Sequence, residues 1–245
     1  MTTPVVLVHG VGLDAKMWDA VIAQLHDDRP CIAIDMAGHG NSPHIATNEL
    51  SGFVDALERD IAAHTAGPID LVGFSMGAMV AAAYTLKRPQ NVAKLVLMNA
   101  IHQRDQAARQ AVLDRLSVAK ENGLSVIADA AISRWFSAEF TLSNPDIIQA
   151  VRDRIKSNDI DSYLLAYRVF ATADEDLACR LGEIACPVLA VTADSDTNST
   201  PEMSYALADA VQDGWANIWD GLAHGAPIED PIRVAKTLID FFDEG

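Results

Sequence analysis

Short runs of β-branched and other apolar residues recur along the chain and alternate with longer stretches of helical periodicity. Such runs, bounded by turn signals, are typical of strands buried on both faces of a parallel sheet. Six runs fit this description, at 5–8, 31–34, 69–72, 92–98, 188–191 and 216–219. Helices are predicted near 17–25, 50–64, 76–87, 201–210 and 231–242. The alternation predicts an α/β fold built on a mostly parallel sheet of about six strands.

The stretch from about residue 102 to residue 180 breaks this alternation. It contains no strand pattern, and its amphipathic helical patterns are separated by turn-forming clusters at 122–123, 143–145 and 157–158. We therefore divide the chain into a core, residues 1–101 and 181–245, and a helical insertion, residues 102–180. Because the insertion leaves the core between two strands, we expect it to form a lid over the carboxyl ends of the sheet, where ligands bind in such folds.

The charge of the chain limits its partners. Its 245 residues carry 18 Lys and Arg against 34 Asp and Glu, a formal net charge of −16. This excess repels phosphate backbones and anionic membrane surfaces, which argues against nucleic acid and membrane partners. It also opposes the approach of an anionic substrate, so such a substrate needs a basic residue inside the site.

The expected location of the protein is cytoplasmic. Cys31, Cys179 and Cys186 form an odd set without a closely spaced metal-binding pattern, which is typical of a reducing compartment. The first residues lead at once into an apolar strand, without the basic, apolar and cleavage segments of a secretory signal. The apolar runs are too short to cross a bilayer.

A G-x-S-x-G motif joins the third apolar run to an Ala-rich helix. Residues 69–80 read IDLVGFSMGAMV. A serine on a sharp strand-to-helix turn has crowded backbone neighbours, so glycines two positions before and two after it avoid side-chain clashes. The turn also sets Ser75 at a helix N-terminus, where negative charge is stabilised. The motif alone is compatible with a plain turn of small residues, but strand, turn and helix together predict that Ser75 is a nucleophile.

Two further catalytic side chains are expected later in the chain, in the order Asp or Glu and then His. His224 fits the last position, because it lies in a glycine-containing loop between the 216–219 run and the final helix. The loop after 188–191 contains Asp194 and Asp196; Asp196 lies farther into the loop and is the predicted acid, with Asp194 as the alternative. In some hydrolases the acid instead follows the strand after the nucleophile helix, which here is the 92–98 run. That position is excluded as the acid, because Asn99 carries no charge.

A serine nucleophile also needs two backbone N–H groups to stabilise the oxyanion that forms on the substrate. Met76 directly follows Ser75 and is the first predicted donor. The loop after Val8 reads HGVG, in which Val11 is the second predicted donor and Gly12 the alternative. His9 in this loop is predicted to be structural.

Together these residues resemble the α/β-hydrolase superfamily over nearly the whole chain, through HGVGLD, DMAGHGNS, GFSMG, the Asp196 loop and GLAHGAP. Shorter segments at 132–137, 163–170 and 198–203 resemble the 3-oxoadipate enol-lactonase group. The resemblance implies hydrolysis of a small carboxylate-bearing lactone, or of a related ester or amide. Arg134 would supply the cation for that carboxylate, and Trp135 is a second candidate substrate contact. The alternative is an Arg–Trp pair that only holds the lid together.

One departure from that superfamily concerns the sheet. Its members usually carry a strand hairpin before the strand that leads into the oxyanion loop, whereas the 5–8 run is the first strand here. The expected α/β-hydrolase sheet is therefore shorter by two strands. An exposed sheet edge needs a cover or a partner, so we expect a monomer or a homodimer.

The predicted reaction is acyl transfer. Ser75 attacks a carbonyl, His224 takes and returns the proton, Asp196 orients the imidazole, and water releases the acyl group; neither a cofactor nor a metal is required. Alternatives on the same fold are a general carboxylesterase, an amidase and a C–C bond hydrolase, and the alternative from another class is a ligand receptor on a hydrolase scaffold. A haloalkane dehalogenase is disfavoured because residue 75 is not a carboxylate.

Overall fold

A computed structural model describes residues 2–25, 29–44 and 46–243 of the chain. Its strands are β1 (Val5–Val8), β2 (Cys31–Ile34), β3 (Ile69–Phe74), β4 (Val92–Met98), β5 (Val188–Ala193) and β6 (Gly214–Trp219). They form one six-stranded sheet in the order β2-β1-β3-β4-β5-β6, and every neighbouring pair is parallel. The predicted α/β fold and the predicted sheet are confirmed.

Helices occupy most of the chain between the strands. They are α1 (Asp19–Ile22), α2 (Leu50–His64), α3 (Met76–Lys87), α4 (Gln106–Asn122), α5 (Leu124–Trp135), α6 (Ala138–Ser143), α7 (Pro145–Lys156), α8 (Ile160–Thr172), α9 (Asp174–Ala178), α10 (Pro201–Ala210), α11 (Ala226–Glu229) and α12 (Pro231–Asp243). Within the described ranges, none of them is long and apolar enough to span a membrane.

The helix predicted at 17–25 is wrong in its bounds. A 3-10 turn, Ala15–Trp18, precedes a helix of four residues, α1. The turn begins early because the Asp14 carboxylate accepts a hydrogen bond from the backbone N–H of Lys16, which caps the segment before the apolar periodicity starts.

The sheet is covered on both faces by apolar packing. Val6 and Val8 belong to a cluster that includes residues of α2 and α3, whereas Val5 and Leu7 pack in a second cluster with Trp18 and residues of α12. This division follows from the two-residue period of a strand, which sends alternate side chains to opposite faces. Both faces of the strands β1, β3 and β5 are therefore buried, and their carboxyl ends remain for the site.

The helical segment, residues 102–180, is described throughout and contains α4 to α9 but no strand. It contacts the loop that follows β1. Asn158 donates a hydrogen bond of 2.9 Å to the carbonyl oxygen of Gly12, and the Arg154 guanidinium lies 3.3 Å from the Asp14 carboxylate. These contacts hold the helical segment next to the carboxyl end of β1.

Candidate active site

Ser75 lies on a strained turn between β3 and α3. Its φ of 55° is in the left-handed region, which is costly for a residue with a side chain. A Cβ atom on Gly73 would lie inside contact distance of the carbonyl oxygen of Gly77, and one on Gly77 would overlap the carbonyl oxygen of His9. Gly73 is therefore required because α3 begins directly beside the end of β3, and Gly77 because α3 packs against the end of β1 and His9.

His224 and Asp196 meet where β6 and β5 end. Nδ1 of His224 lies 2.7 Å from Oδ2 of Asp196, and both side chains are buried. Oδ1 of Asp196 accepts hydrogen bonds from the backbone N–H groups of Asn198 at 2.8 Å and Ser199 at 3.0 Å. Burial raises the pKa of Asp196, but the charge and hydrogen bond of His224, with those of Asn99 and Ser199, outweigh burial and hold it below its usual value. The carboxylate is therefore ionised at neutral pH.

Asp194, the alternative acid, makes a different set of contacts. Its Oδ1 accepts hydrogen bonds from the Ser195 hydroxyl at 3.0 Å and from the backbone N–H of Gly221 at 2.9 Å. These bonds fix the turn that begins the His224 loop. Of the two carboxylates, Asp196 is the one that contacts the imidazole.

Asn99 follows β4 and has a contact that sequence reasoning missed. Its side-chain N–H donates to Oδ2 of Asp196 at 2.9 Å, the same oxygen that faces His224. Its backbone N–H donates to Val191 and its carbonyl oxygen accepts from the Ser199 hydroxyl, both at 2.7 Å. Residue 99 is excluded as the catalytic acid because asparagine is an amide. The same amide group allows Asn99 to donate a hydrogen bond to Asp196.

Ser75 and His224 line one cavity of about 40 Å³, together with three other predicted site residues, Val11, Arg134 and Trp135. The imidazole packs between two aromatic rings, with ring centroids 5.1 Å from Phe74 and 5.9 Å from Trp135. The backbone N–H of Gly225, next to the histidine, donates to the carbonyl oxygen of Trp135 at 2.6 Å. The end of α5 and the His224 loop are thus in direct contact.

The two predicted oxyanion donors lie on different segments, one next to Ser75 in sequence and one in the loop after β1. Met76 is the first residue of α3, and Val11 lies in the loop after β1. The first N–H groups of a helix have no acceptor within the helix. In the described part of the chain, neither the N–H of Met76 nor that of Val11 has a hydrogen-bond acceptor. Neither group is therefore committed to another bond among these residues, and Val11, but not Met76, is one of the residues that line the cavity.

A family model described as alpha/beta hydrolase fold matches residues 3–218. The chain belongs to this family. Two hydrolases from Acinetobacter baylyi (strain ATCC 33305 / BD413 / ADP1) are similar to it. (E)-2-((N-methylformamido)methylene)succinate hydrolase is 31% identical over 240 residues, which cover 96% of this chain and 88% of that protein. 3-Oxoadipate enol-lactonase 2 is 25% identical over 227 residues, which cover 91% of this chain and 82% of that protein.

A solved structure extends the comparison. A thermophilic esterase from Thermogutta terrifontis, with malate bound, matches this alpha/beta hydrolase with a TM-score of 0.88 and 26% identity, covering 100% of this chain and 90% of that one. The family match confirms the resemblance to the α/β-hydrolase superfamily, and the similarity to an enol-lactonase supports the resemblance to that group.

Two buried histidines of the alpha/beta hydrolase stabilise loops. Nε2 of His9 accepts from the backbone N–H of Met36 at 2.9 Å, and Nδ1 donates to the carbonyl oxygen of Gly10 at 2.7 Å. The His39 ring lies 5.3 Å from that of His9. Burial lowers the pKa of His9 to about 4 and that of His39 to about 3, so both are neutral at pH 7.

Side chains that commonly bind metals are dispersed in this hydrolase. Within residues 2–25, 29–44 and 46–243, no three His, Cys, Asp or Glu residues are grouped so that they hold an ion. Cys31, Cys179 and Cys186 are free thiols.

The helical segment contributes two arginines to the Ser75 cavity of the hydrolase. Arg134, predicted from the sequence, lies near the end of α5, and its Nε is buried without a hydrogen-bond acceptor among the described residues. Arg115 of α4 was not predicted; its Nε donates to the hydroxyl of Tyr167 at 3.0 Å. An arginine in an amphipathic helix has no sequence signal that separates it from a surface residue, and only the packing of α4 against α8 brings it to the cavity.

Proposed function

We propose that this alpha/beta hydrolase cleaves a small, carboxylate-bearing lactone or ester through an acyl-enzyme, with Ser75, His224 and Asp196 as the catalytic triad. The observation that carries the proposal is the 2.7 Å contact between Nδ1 of His224 and Oδ2 of Asp196, behind a cavity that Ser75 also lines. A proton held on Nδ1 leaves Nε2 of the imidazole as the base, which is the arrangement that activates a serine hydroxyl.

In the proposed mechanism, the hydroxyl oxygen of Ser75 attacks the carbonyl carbon while Nε2 of His224 takes its proton. The N–H groups of Val11 and Met76 stabilise the oxyanion, and Asp196 stabilises the imidazolium. The imidazolium then returns the proton to the leaving oxygen. A water molecule, deprotonated by the same imidazole, attacks the acyl carbon; the bond to the Ser75 oxygen breaks, and the imidazolium returns the proton to that oxygen as the acid is released. Every step uses groups of the chain and water.

Arg134 and Trp135 support the proposed substrate class. In a chain with a net charge of −16, a cation inside the cavity is needed to attract a carboxylate. The cavity has a volume of about 40 Å³, which favours a compact substrate over a long-chain ester. We propose that the helical segment acts as the lid that excludes bulk water, because it brings Trp135 against the imidazole ring.

The test of this function combines labelling with a substrate panel. A fluorophosphonate probe should label Ser75 in the native chain, and Ser75→Ala should lose both labelling and ester hydrolysis. Ser133→Ala is the matched control, because that serine is exposed on α5 and its hydroxyl, among the described residues, hydrogen-bonds only to the carbonyl oxygen of Ala130. Full hydrolysis of a responsive ester by Ser75→Ala would overturn the proposal.

A second candidate, an amidase acting on a carboxylate-bearing N-acyl enamine, is favoured by one finding. The relative whose name contains a formamido group is 31% identical to this chain, whereas the enol-lactonase is 25% identical. The same triad cleaves an amide when the imidazolium protonates a leaving nitrogen instead of oxygen. Comparing kcat/KM for an enol ester and an N-acyl enamine of the same acid separates the two: a higher value for the enamine assigns the amidase.

A further inference from the structure

The Ser75 cavity contains two guanidinium groups and no carboxylate that neutralises them. Arg115 and Arg134 both line it, yet neither forms an ion pair with any Asp or Glu among the residues that the structure describes. Five other arginines with sheltered side chains do pair with a carboxylate, namely Arg29, Arg104, Arg109, Arg152 and Arg154. The unpaired state of the two cavity arginines is therefore an exception in this chain.

An unpaired charge in a sheltered site is costly, and two like charges in one cavity cost more. Burial lowers the pKa of Arg134, and the neighbouring positive charge of Arg115 lowers it further. The two guanidinium groups therefore repel each other. Carboxylates are abundant in this acidic chain, but Tyr163 and Tyr167 stand beside the guanidinium groups instead. A neutral partner such as a phenol holds an arginine in place without neutralising it.

Arg115 is accessible from two cavities. It lines the Ser75 cavity and also an adjacent pocket between α4 and the Asp196 loop, which includes Asn198 and Phe170. Its Nε is engaged by the Tyr167 hydroxyl, which leaves the N–H groups of its two terminal nitrogens for another acceptor. A planar fork of this kind matches the two oxygens of a carboxylate.

We infer that the substrate carries two carboxylates besides the bond that is cleaved, one recognised by Arg134 and the other by Arg115. The inference rests on the proposed function, because it takes the Ser75 cavity as the substrate site. It goes beyond that function by assigning Arg115 as a specificity residue and a dicarboxylic acid derivative as the substrate class. The carboxylates of the ligand then neutralise the two guanidinium groups, which have no carboxylate partner among the described residues.

Succinate and butyrate are suitable probes, because both have four carbons and they differ by one carboxylate. Calorimetric titration of the full chain at low ionic strength should show succinate binding at least about tenfold more tightly than butyrate. Arg115→Gln should reduce that preference to about threefold or less, mainly by weakening succinate binding. Arg115→Lys, which retains the charge, should keep a preference between those of wild type and Arg115→Gln. Lys120→Gln, an exposed change on α4, should leave both affinities unchanged.

Equal losses for succinate and butyrate in Arg115→Gln, or no loss for either, would overturn the inference. The titration needs no turnover, so it is separable from the test of the proposed function. If succinate binding depends on Arg115 but Ser75 resists the fluorophosphonate, the proposed function fails and the dicarboxylate site stands. If Ser75 is labelled and esters are cleaved, but succinate has no advantage over butyrate, the inference alone fails.

Discussion

Charged side chains are paired in one region of the molecule and unpaired in another. The first region is the set of loops that follow β4, β5 and β6, and the second is the helical segment above them. In the loops, the Asp196 carboxylate receives hydrogen bonds from His224, Asn99 and two backbone N–H groups. In the helical segment, Arg115 and Arg134 face the cavity without a carboxylate among the described residues. A satisfied network fixes geometry, whereas an unsatisfied pair of charges selects a ligand. The difference separates the residues proposed for chemistry from those proposed for specificity.

The largest expected effect tests the loop network. Asp196→Asn should lower kcat for a responsive ester by about 10⁴-fold, because the amide no longer holds the proton of His224 on Nδ1 or stabilises the imidazolium. Asp194→Asn is the matched control and should change kcat by less than about threefold, since Asp194 contacts Ser195 and Gly221 rather than the histidine. Steady-state kinetics of the two variants check this. A larger loss in Asp194→Asn would reverse the assignment of the acid.

The second prediction concerns two buried histidines, His9 and His39, and the dependence of the free energy of unfolding on pH. The folded-state pKa values of His9 and His39, about 4 and about 3, lie below the ordinary value of 6.5. The unfolded chain therefore binds protons first as pH falls, and stability decreases from about pH 6.5 downward. Between pH 7 and pH 5 the free energy of unfolding should fall by about 2 kcal/mol for each of these histidines.

Urea denaturation at the two pH values measures that change. His39→Asn should reduce the loss by about 2 kcal/mol. His64→Asn, at an exposed position, should leave the pH dependence as in wild type. A free energy of unfolding that is constant between pH 7 and pH 5 would contradict the neutral, buried state of both rings.

The third prediction tests the helical segment. Arg134→Gln should raise KM for a carboxylate-bearing ester by about thirtyfold with a small change in kcat, because a charged hydrogen bond to the substrate is lost in the ground state and the transition state alike. Arg152→Gln removes a similar charge whose partner is Asp129, outside the cavity, and should leave KM unchanged. A fall in kcat without a change in KM would place Arg134 with the chemistry and break the division drawn above.

The smallest effect is expected at Asn99, which we infer to position Asp196. Asn99→Leu removes one donor from the carboxylate, so kcat should fall by about tenfold. The pKa of Asp196 should rise, because a hydrogen bond that lowers it is gone. The folded-state pKa is below the unfolded value, so the carboxylate stabilises the fold at higher pH and this contribution is lost as pH falls through the folded-state pKa.

Acid unfolding followed by circular dichroism should therefore move to higher pH in Asn99→Leu. The pH dependence of kcat should gain an inflection on its acidic side from the same carboxylate. An unchanged pH profile together with a lowered kcat would indicate a packing defect at Asn99 rather than a positioning role.

The local parts of this molecule were predictable. Strands with both faces buried were visible as continuous apolar runs, and the turn at Ser75 was visible because the G-x-S-x-G motif lies between such a run and an Ala-rich helix. The start of the first helical region was missed, because the Asp14 side chain caps a 3-10 turn before the apolar periodicity begins.

By itself, the sequence determined the α/β fold, the candidate nucleophile and the order of the loops that follow it, since these depend on periodicity, sterics and chain order. The sequence also favoured Asp196 over Asp194 as the acid, but only the tertiary structure shows which of the two contacts His224, because that contact joins residues 28 positions apart in the chain. The tertiary structure also brought Arg115 into the cavity and Asn99 onto the acid. Such contacts join distant segments, and no local pattern encodes the packing that creates them.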